Sequence, residues 1–127
     1  MLNISSALED YLEAVLILEE KKRFVRVKDL AQMMKVKAPS VNEALSHLKK
    51  RGLILQERYA PIELTSKGRG VAQAVLQKHE ALKRFFQEVL GIDEKTAEED
   101  ACKVEHHLSK KTIKKIVSFT NRKKGKK

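Results

Sequence analysis

The chain is poor in the features that mark several large protein classes. It has one cysteine, which excludes an intrachain disulfide, and only two prolines and five glycines. No apolar run approaches the roughly 20 residues of a membrane-spanning helix; the longest is AVLIL at 14–18. A membrane partner is therefore not expected. The N-terminal stretch MLNISSALEDYLEA lacks the charged-then-apolar layout of a signal peptide, so a reducing cytoplasm is the expected compartment. There is no H-E-x-x-H, no glycine-rich phosphate loop and no Ser/His/Asp order to explain. Neither an enzyme nor a small-molecule substrate is expected.

What is present is charge and a moderate apolar fraction. With 42% apolar residues, 127 residues can build one compact domain or two small ones. The formal charge of +10 favours a polyanionic partner, but NRKKGKK at 121–127 carries five of those charges and leaves the rest of the chain at +5. That basic tail reads as a solvated, disordered extension.

SSALEDYLEAVLILEEKK opens with a capping box, Ser6 to Glu9, and carries Leu8, Tyr11, Leu12, Val15 and Leu18 on one helical stripe. Asp10 and Glu13 lie off that stripe on a common flank. The following segment, FVRVKDLAQMMKVKAPSVNEALSHLKKRG, splits at KVKA into two short helices. Val27, Leu30, Ala31 and Met34 face inward on the first, and Val41, Leu45 and Leu48 on the second, which starts near Pro39 and ends at Gly52. Two short helices around a tight turn read as a helix-turn-helix. Its second helix offers Pro39, Ser40, Asn42, Glu43, Ser46 and Lys50 outward, with Lys37 just ahead. Small polar groups at a helix N-terminus suit a major groove, and KKR at 49–51 suits phosphates. LILQERYAPIELT then predicts a β-hairpin turning at Ala60 and Pro61, with Arg58 near its tip. A helix-turn-helix followed by a hairpin makes a winged helix, and double-stranded DNA is the expected partner.

Thr65 is placed to cap a long helix that runs to Gly91 in spite of Gly68 and Gly70. Its apolar positions Val71, Val75, Leu82, Phe86, Val89 and Leu90 exceed the needs of one small domain and point to a subunit interface. Asp93 begins a further helix containing ACKVEHHL, and Ser109 caps a last one, KKTIKKIVSF. The fold expected is mainly α. It comprises a winged helix-turn-helix DNA-binding domain at 1–70, an all-helical dimerisation and metal-binding domain at 71–120, and the tail at 121–127.

ACKVEHHL gathers the single cysteine, a glutamate and two histidines. On a helix, Cys102, Glu105 and His106 fall within roughly a 100° arc of one face. Sulfur, oxygen and nitrogen donors together suit Fe(II), Zn(II), Co(II) or Mn(II) better than Ca(II) or Mg(II). A buried structural cysteine beside exposed Glu and His is the competing reading.

The order EDYLEAVLIL, VRVKDLAQMMKVKAPSVNEALSHLKKRGLI, LTSKG, KHEALKRFF, VLGID and ACKVEHH, spanning residues 7–119, resembles the diphtheria-toxin-repressor family of metal-dependent transcriptional regulators. The resemblance implies a homodimer that represses transcription by binding palindromic operator DNA, activated by Fe(II) or Mn(II), with Zn(II), Co(II) or Ni(II) as replacements in vitro. It assigns the metal ligands to Asp10 and Glu13, His79, and Cys102, Glu105 and His106. Asp10 and Glu13 follow the family's manganese-type pattern, whereas Cys102 follows its iron-type pattern. Lys83 stands where relatives commonly carry an acidic residue of a second metal position, and Glu80 or Glu98 is a candidate to replace it. Ala60 and Pro61 stand where relatives often have arginine and glycine. The two-domain form, without an SH3-like domain, is expected. The alternative is a metal-independent winged-helix regulator sensing oxidation through Cys102.

Overall fold

The computed structural model describes residues 4–125. The chain divides into two compact units, Met1–Ala74 and Val75–Lys127, the division falling within its longest helix.

The first unit contains α1 (Ser6–Lys21), α2 (Val27–Met34), α3 (Ala38–Lys50), the two-residue strands β1 (Ile54–Leu55) and β2 (Glu63–Leu64), and the start of α4 (Ser66–Glu88). The cap of α1 is Ser5 and not Ser6. Ser5 is extended at φ −69° and ψ 157°, its hydroxyl accepts from Leu8 N at 3.2 Å, and Ser6 is already helical. The stripe expected on α1 is otherwise inward, with Leu12 and Val15 wholly buried. They join Leu30, Val41, Leu48, Leu53, Ile54 and Ile62 in one core, where each aliphatic side chain taken from water contributes about 1.5–3 kcal/mol.

α2 begins with Asp29 accepting from the backbone N–H of Arg26 at 2.9 Å and from Lys22 Nζ at 2.7 Å. The Lys22 ammonium, with the Arg26 amide, holds the Asp29 carboxyl below its usual value. The helix stops at Lys35, which is left-handed at φ 58°, and α3 starts with Pro39 in its first turn. α3 ends before Gly52, whose φ of 71° lets Leu53 N reach back to Leu48 O at 3.0 Å.

β1 and β2 pair antiparallel, Ile54 opposite Leu64 and Leu55 opposite Glu63, and a bridge from Val25 to Ile62 extends the sheet. The hairpin turns at Glu57–Ala60, closed by Ala60 N to Glu57 O at 3.0 Å, a little earlier than its sequence suggests. Its base is locked at Thr65. The Thr65 hydroxyl donates to Gly52 O at 2.7 Å and accepts from Gly68 N at 2.9 Å, and the Thr65 amide donates to Leu53 O at 3.1 Å. These elements form the winged helix.

The second unit is helical: the rest of α4, α5 (Glu94–Val104) and α6 (Lys110–Gly125). Gly91, at φ 70°, closes α4 and allows Ile92 N to reach Phe86 O at 2.9 Å. Asp93 caps α5 by accepting from Thr96 N and Thr96 Oγ1, both at 3.0 Å, and Ser109 caps α6 by accepting from Thr112 N at 3.2 Å. α5 is shorter than expected. It ends at Val104, so Glu105 is its cap and His106 and His107 lie in a turn closed by His107 N to Val104 O at 2.9 Å. The disordered tail expected from residue 121 is also corrected, because α6 continues to Gly125. Arg84 Nη1 donates to Asn121 Oδ1 at 2.8 Å and Lys123 Nζ reaches Val89 O at 3.5 Å, which ties this basic turn to α4 and to the residue just past it. Residues 126 and 127 lie outside the described residues.

Val75, Leu82, Ala97, Ala101 and Thr120 are buried in the second unit. Phe85, Phe86, Val89, Ile113, Ile116 and Val117 are only half-buried, and Phe119 and Leu90 are exposed. Among the described residues, no helix is long and apolar enough to cross a membrane.

Candidate metal centre and nucleic-acid interface

Within the second unit, the end of α5 and the middle of α4 bring four of the expected ligands together. Glu105 is wholly buried. Its Oε2 lies 3.3 Å from His79 Nδ1 and its Oε1 3.6 Å from His106 Nε2. Cys102, exposed on the last turn of α5, offers its sulfur within 4.8 Å of a Glu105 carboxylate oxygen. Although α5 stops before Glu105, that residue keeps αR backbone at φ −54° and ψ −32°, so Cys102 and Glu105 still follow the spacing of one helical turn. His107 is exposed.

Neither oxygen of Glu105 accepts a hydrogen bond among the described residues. An ionised carboxylate withdrawn from water costs on the order of several kcal/mol unless a cation or hydrogen-bond donors compensate it. Imidazole nitrogens, a thiol sulfur and an orphaned carboxylate are a donor set that fits a divalent transition metal.

His79 is held from its other edge. Its Nε2 contacts Glu98 Oε2, while Glu98 Oε1 accepts from Lys83 Nζ at 3.2 Å and Lys83 reaches Glu94 Oε1 at 3.5 Å. Pairing with Glu98 first, and also with Glu94, raises the Lys83 pKa, so this ammonium stays charged. In the first unit, α1 carries Asp10, half-buried, and Glu13, buried.

The expected DNA contacts are all exposed: Lys37, Pro39, Ser40, Asn42, Glu43, Ser46 and Lys50 at α3, and Arg58 in the hairpin turn. The KKR stretch divides by role. Lys49 Nζ donates to Gln56 O at 2.9 Å and Arg51 Nη1 to His47 O at 3.1 Å, which holds both against the fold. Lys50 has no such tie among the described residues. One residue had no sequence signal. Tyr59, at the wing tip, is 85% exposed and left-handed at φ 65°. The Arg58 guanidinium lies 5.2 Å from its ring centroid, and its carbonyl accepts from Arg26 Nη1 at 3.5 Å. Glycine or asparagine commonly marks such a turn position, and here neither does.

Comparison with known proteins finds two family matches in succession along the chain. Residues 3–61 match the family described as "Iron dependent repressor, N-terminal DNA binding domain", and residues 65–125 the one described as "Iron dependent repressor, metal binding and dimerisation domain". The chain is 38% identical over 124 residues to an uncharacterised HTH-type transcriptional regulator of Methanocaldococcus jannaschii, covering 97% of this chain and 99% of that one. It is 34% identical over 110 residues to the HTH-type transcriptional regulator MntR of Bacillus subtilis, covering 87% of this chain and 77% of that protein. Among solved structures, the manganese regulator SloR superposes with a TM-score of 0.80 at 30% identity, covering 90% of this chain and 53% of that one. The chain thus spans about half the length of that structure.

Proposed function

Because this chain belongs to the diphtheria-toxin-repressor family of metal-dependent transcriptional regulators, we propose that it represses transcription as a homodimer bound to palindromic operator DNA when Fe(II) or Mn(II) is available. The observation that carries the metal half of this reading is Glu105, a wholly buried carboxylate neither of whose oxygens has a hydrogen-bond partner among the described residues. Asp10, Glu13, His79, Cys102, Glu105 and His106 are the proposed ligands. The two residues of α1 are included on the strength of the resemblance.

Sulfur from Cys102 favours Fe(II), and the carboxylates favour Mn(II). Both metals have support among relatives, one in the iron-dependent family description and one in the manganese regulator SloR. When bound, the metal supplies positive charge for which the ligands compete poorly with water on their own. The chain's residues do the coupling: Asp10 and Glu13 belong to the unit that reads DNA, and the other four ligands to the second unit. Ligands drawn from both, as the resemblance implies, would restrict the recognition helices and lower the ordering cost of DNA binding.

Lys37, Pro39, Ser40, Asn42, Glu43, Ser46, Lys50 and Arg58 are the proposed DNA contacts, with base edges read from the N-terminal half of α3 and phosphates met by Lys50 and Arg58. The half-exposed aromatic and aliphatic side chains of α4 and α6 support the dimer. A regulator of this kind acts on chromosomal DNA, so the cytoplasm is its proposed location.

The test is anaerobic reconstitution with Fe(II), Mn(II) and Zn(II) in turn, followed by titration of a palindromic duplex selected from a random pool, with and without chelator. Tight, chelator-sensitive binding is expected. Equal affinity with and without chelator would leave the metal-independent regulator as the better reading.

A further inference from the structure

We propose that Glu98 and Lys83 are positioning residues for a metal ligand: they hold His79 so that its Nδ1, and not its Nε2, is presented to the ion. The inference rests on the metal-site reading above and adds which atom of His79 ligates and why.

A neutral imidazole carries one N–H and one lone pair, and only the nitrogen bearing the lone pair can ligate. In this structure the two ring nitrogens of His79 have different neighbours. Nε2 contacts Glu98 Oε2, and Nδ1 lies 3.3 Å from Oε2 of the buried Glu105. A carboxylate oxygen accepts hydrogen bonds, so the close contact of Glu98 Oε2 with Nε2 places the ring N–H on that nitrogen. The lone pair is thereby assigned to Nδ1, on the side of the other ligands.

Glu98 is in turn fixed by Lys83. The two oxygens of Glu98 are divided between partners, Oε2 on His79 and Oε1 on Lys83 Nζ at 3.2 Å. This is possible because His79 and Lys83 are four apart on α4 while Glu94 and Glu98 are four apart on α5, so both pairs share a face of their helix. The Lys83 ammonium also bridges to Glu94 at 3.5 Å, and so binds two carboxylates at once. With both oxygens of Glu98 committed, its role is to orient a ligand and not to be one. A histidine ligand whose second N–H is held by a carboxylate is a recurrent arrangement, and loss of such a partner typically lowers metal affinity about 10- to 100-fold.

The experiment uses the full chain and three measurements: long-range 1H–15N correlation of the histidine rings in metal-free protein at mildly alkaline pH; Mn(II) and Zn(II) affinity by competition with a chelator; and metal stoichiometry. Wild type is expected to show His79 protonated at Nε2. Glu98→Ala should mix the two tautomers and weaken binding of both ions about 10- to 100-fold without changing the number bound. Glu98→Gln, which keeps an acceptor at the same reach, should fall between. Lys83→Met should weaken binding less than Glu98→Ala, and Lys83→Arg should restore it. Unchanged affinity and tautomer in Glu98→Ala would overturn the proposal alone, and so would the loss of one bound ion per chain, which would make Glu98 a ligand. Failure of wild type to bind either ion would overturn the metal-site reading and this proposal with it.

Discussion

Gly68 sits so close to Leu53 that a β-carbon built on it would stand 1.8 Å from the Leu53 carbonyl oxygen. The first turn of α4 is thereby pressed against the base of the wing, where Thr65 already bonds to Gly52 and Leu53. Backbone cannot yield as a flexible side chain can. Gly68→Ala is expected to destabilise the protein by about 2 kcal/mol or more. Gly70→Ala, which meets nothing within 4 Å, should be neutral or stabilise by up to about 1 kcal/mol. Urea denaturation of the two variants measures the contrast, and equal midpoints would refute the account of this junction.

Asp10→Ala should leave the metal-free protein folded and weakly DNA-binding, yet remove most of the gain in operator affinity that metal confers. Cys102→Ala and His106→Ala should do the same. Residues acting through one shared ion are non-additive, so double variants should cost little more than single ones. Operator titrations with and without saturating Mn(II) decide this. Full activation surviving in Asp10→Ala would sink the coupling between units.

Contacts to phosphate and to bases should separate by salt. Lys50→Ala should weaken binding to every duplex and lower the salt slope by about one unit. Asn42→Ala and Glu43→Ala should alter sequence preference and leave the slope nearly unchanged. If all three changed only non-specific affinity, α3 would not be the reading helix.

The apolar side chains left open on α4 and α6 predict a dimer at micromolar concentration. Phe119 is 47% exposed and stacks edge-on to Phe85 at 6.5 Å between centroids. Phe119→Asp should therefore spare the fold and shift sedimentation toward the monomer. A dimer unaffected by that change would place the interface elsewhere.

Asp29 gives the fold a defined acid sensitivity. Its pKa is lowered in the folded state from an ordinary 3.8, chiefly by Lys22. Its contribution is complete above that ordinary value and is lost as pH falls through the depressed one. Asp29→Asn keeps an acceptor oxygen for the Arg26 amide but loses the charge that pairs with Lys22, so it should cost up to about 1 kcal/mol near neutrality and should flatten the fall of stability on acidification. Identical pH profiles for the two proteins would contradict this.

Local chemistry made much of the fold legible. Asp93, Thr65 and Ser109 cap the helices their sequence assigns them, and the split at KVKA falls between α2 and α3. What was not legible depended on the rest of the molecule. Two adjacent serines offer equivalent caps, and the backbone at Ser5 decides between them. The basic turn at 121–125 reads as solvated by charge, yet Asn121 finds a partner on α4 and Lys123 one just past its end. Lys35 and Tyr59 adopt positive φ without a glycine to announce it. At the candidate metal centre, the gathering of Cys102, Glu105 and His106 could be read directly. The link from Lys83 through Glu98 to His79 could not, because it requires the register of α5 against α4.

Glu105 also bears on how long the protein lasts. A carboxylate shut away from water without donors weighs against the folded state, and a cation that relieves it favours that state over the unfolded chain. Occupancy at a hundredfold excess over Kd adds about 2.7 kcal/mol to the free energy of unfolding. Proteases that capture transiently opened molecules would then clear the metal-free form faster. Metal supply would set the quantity of this regulator through its turnover, in addition to its affinity for DNA.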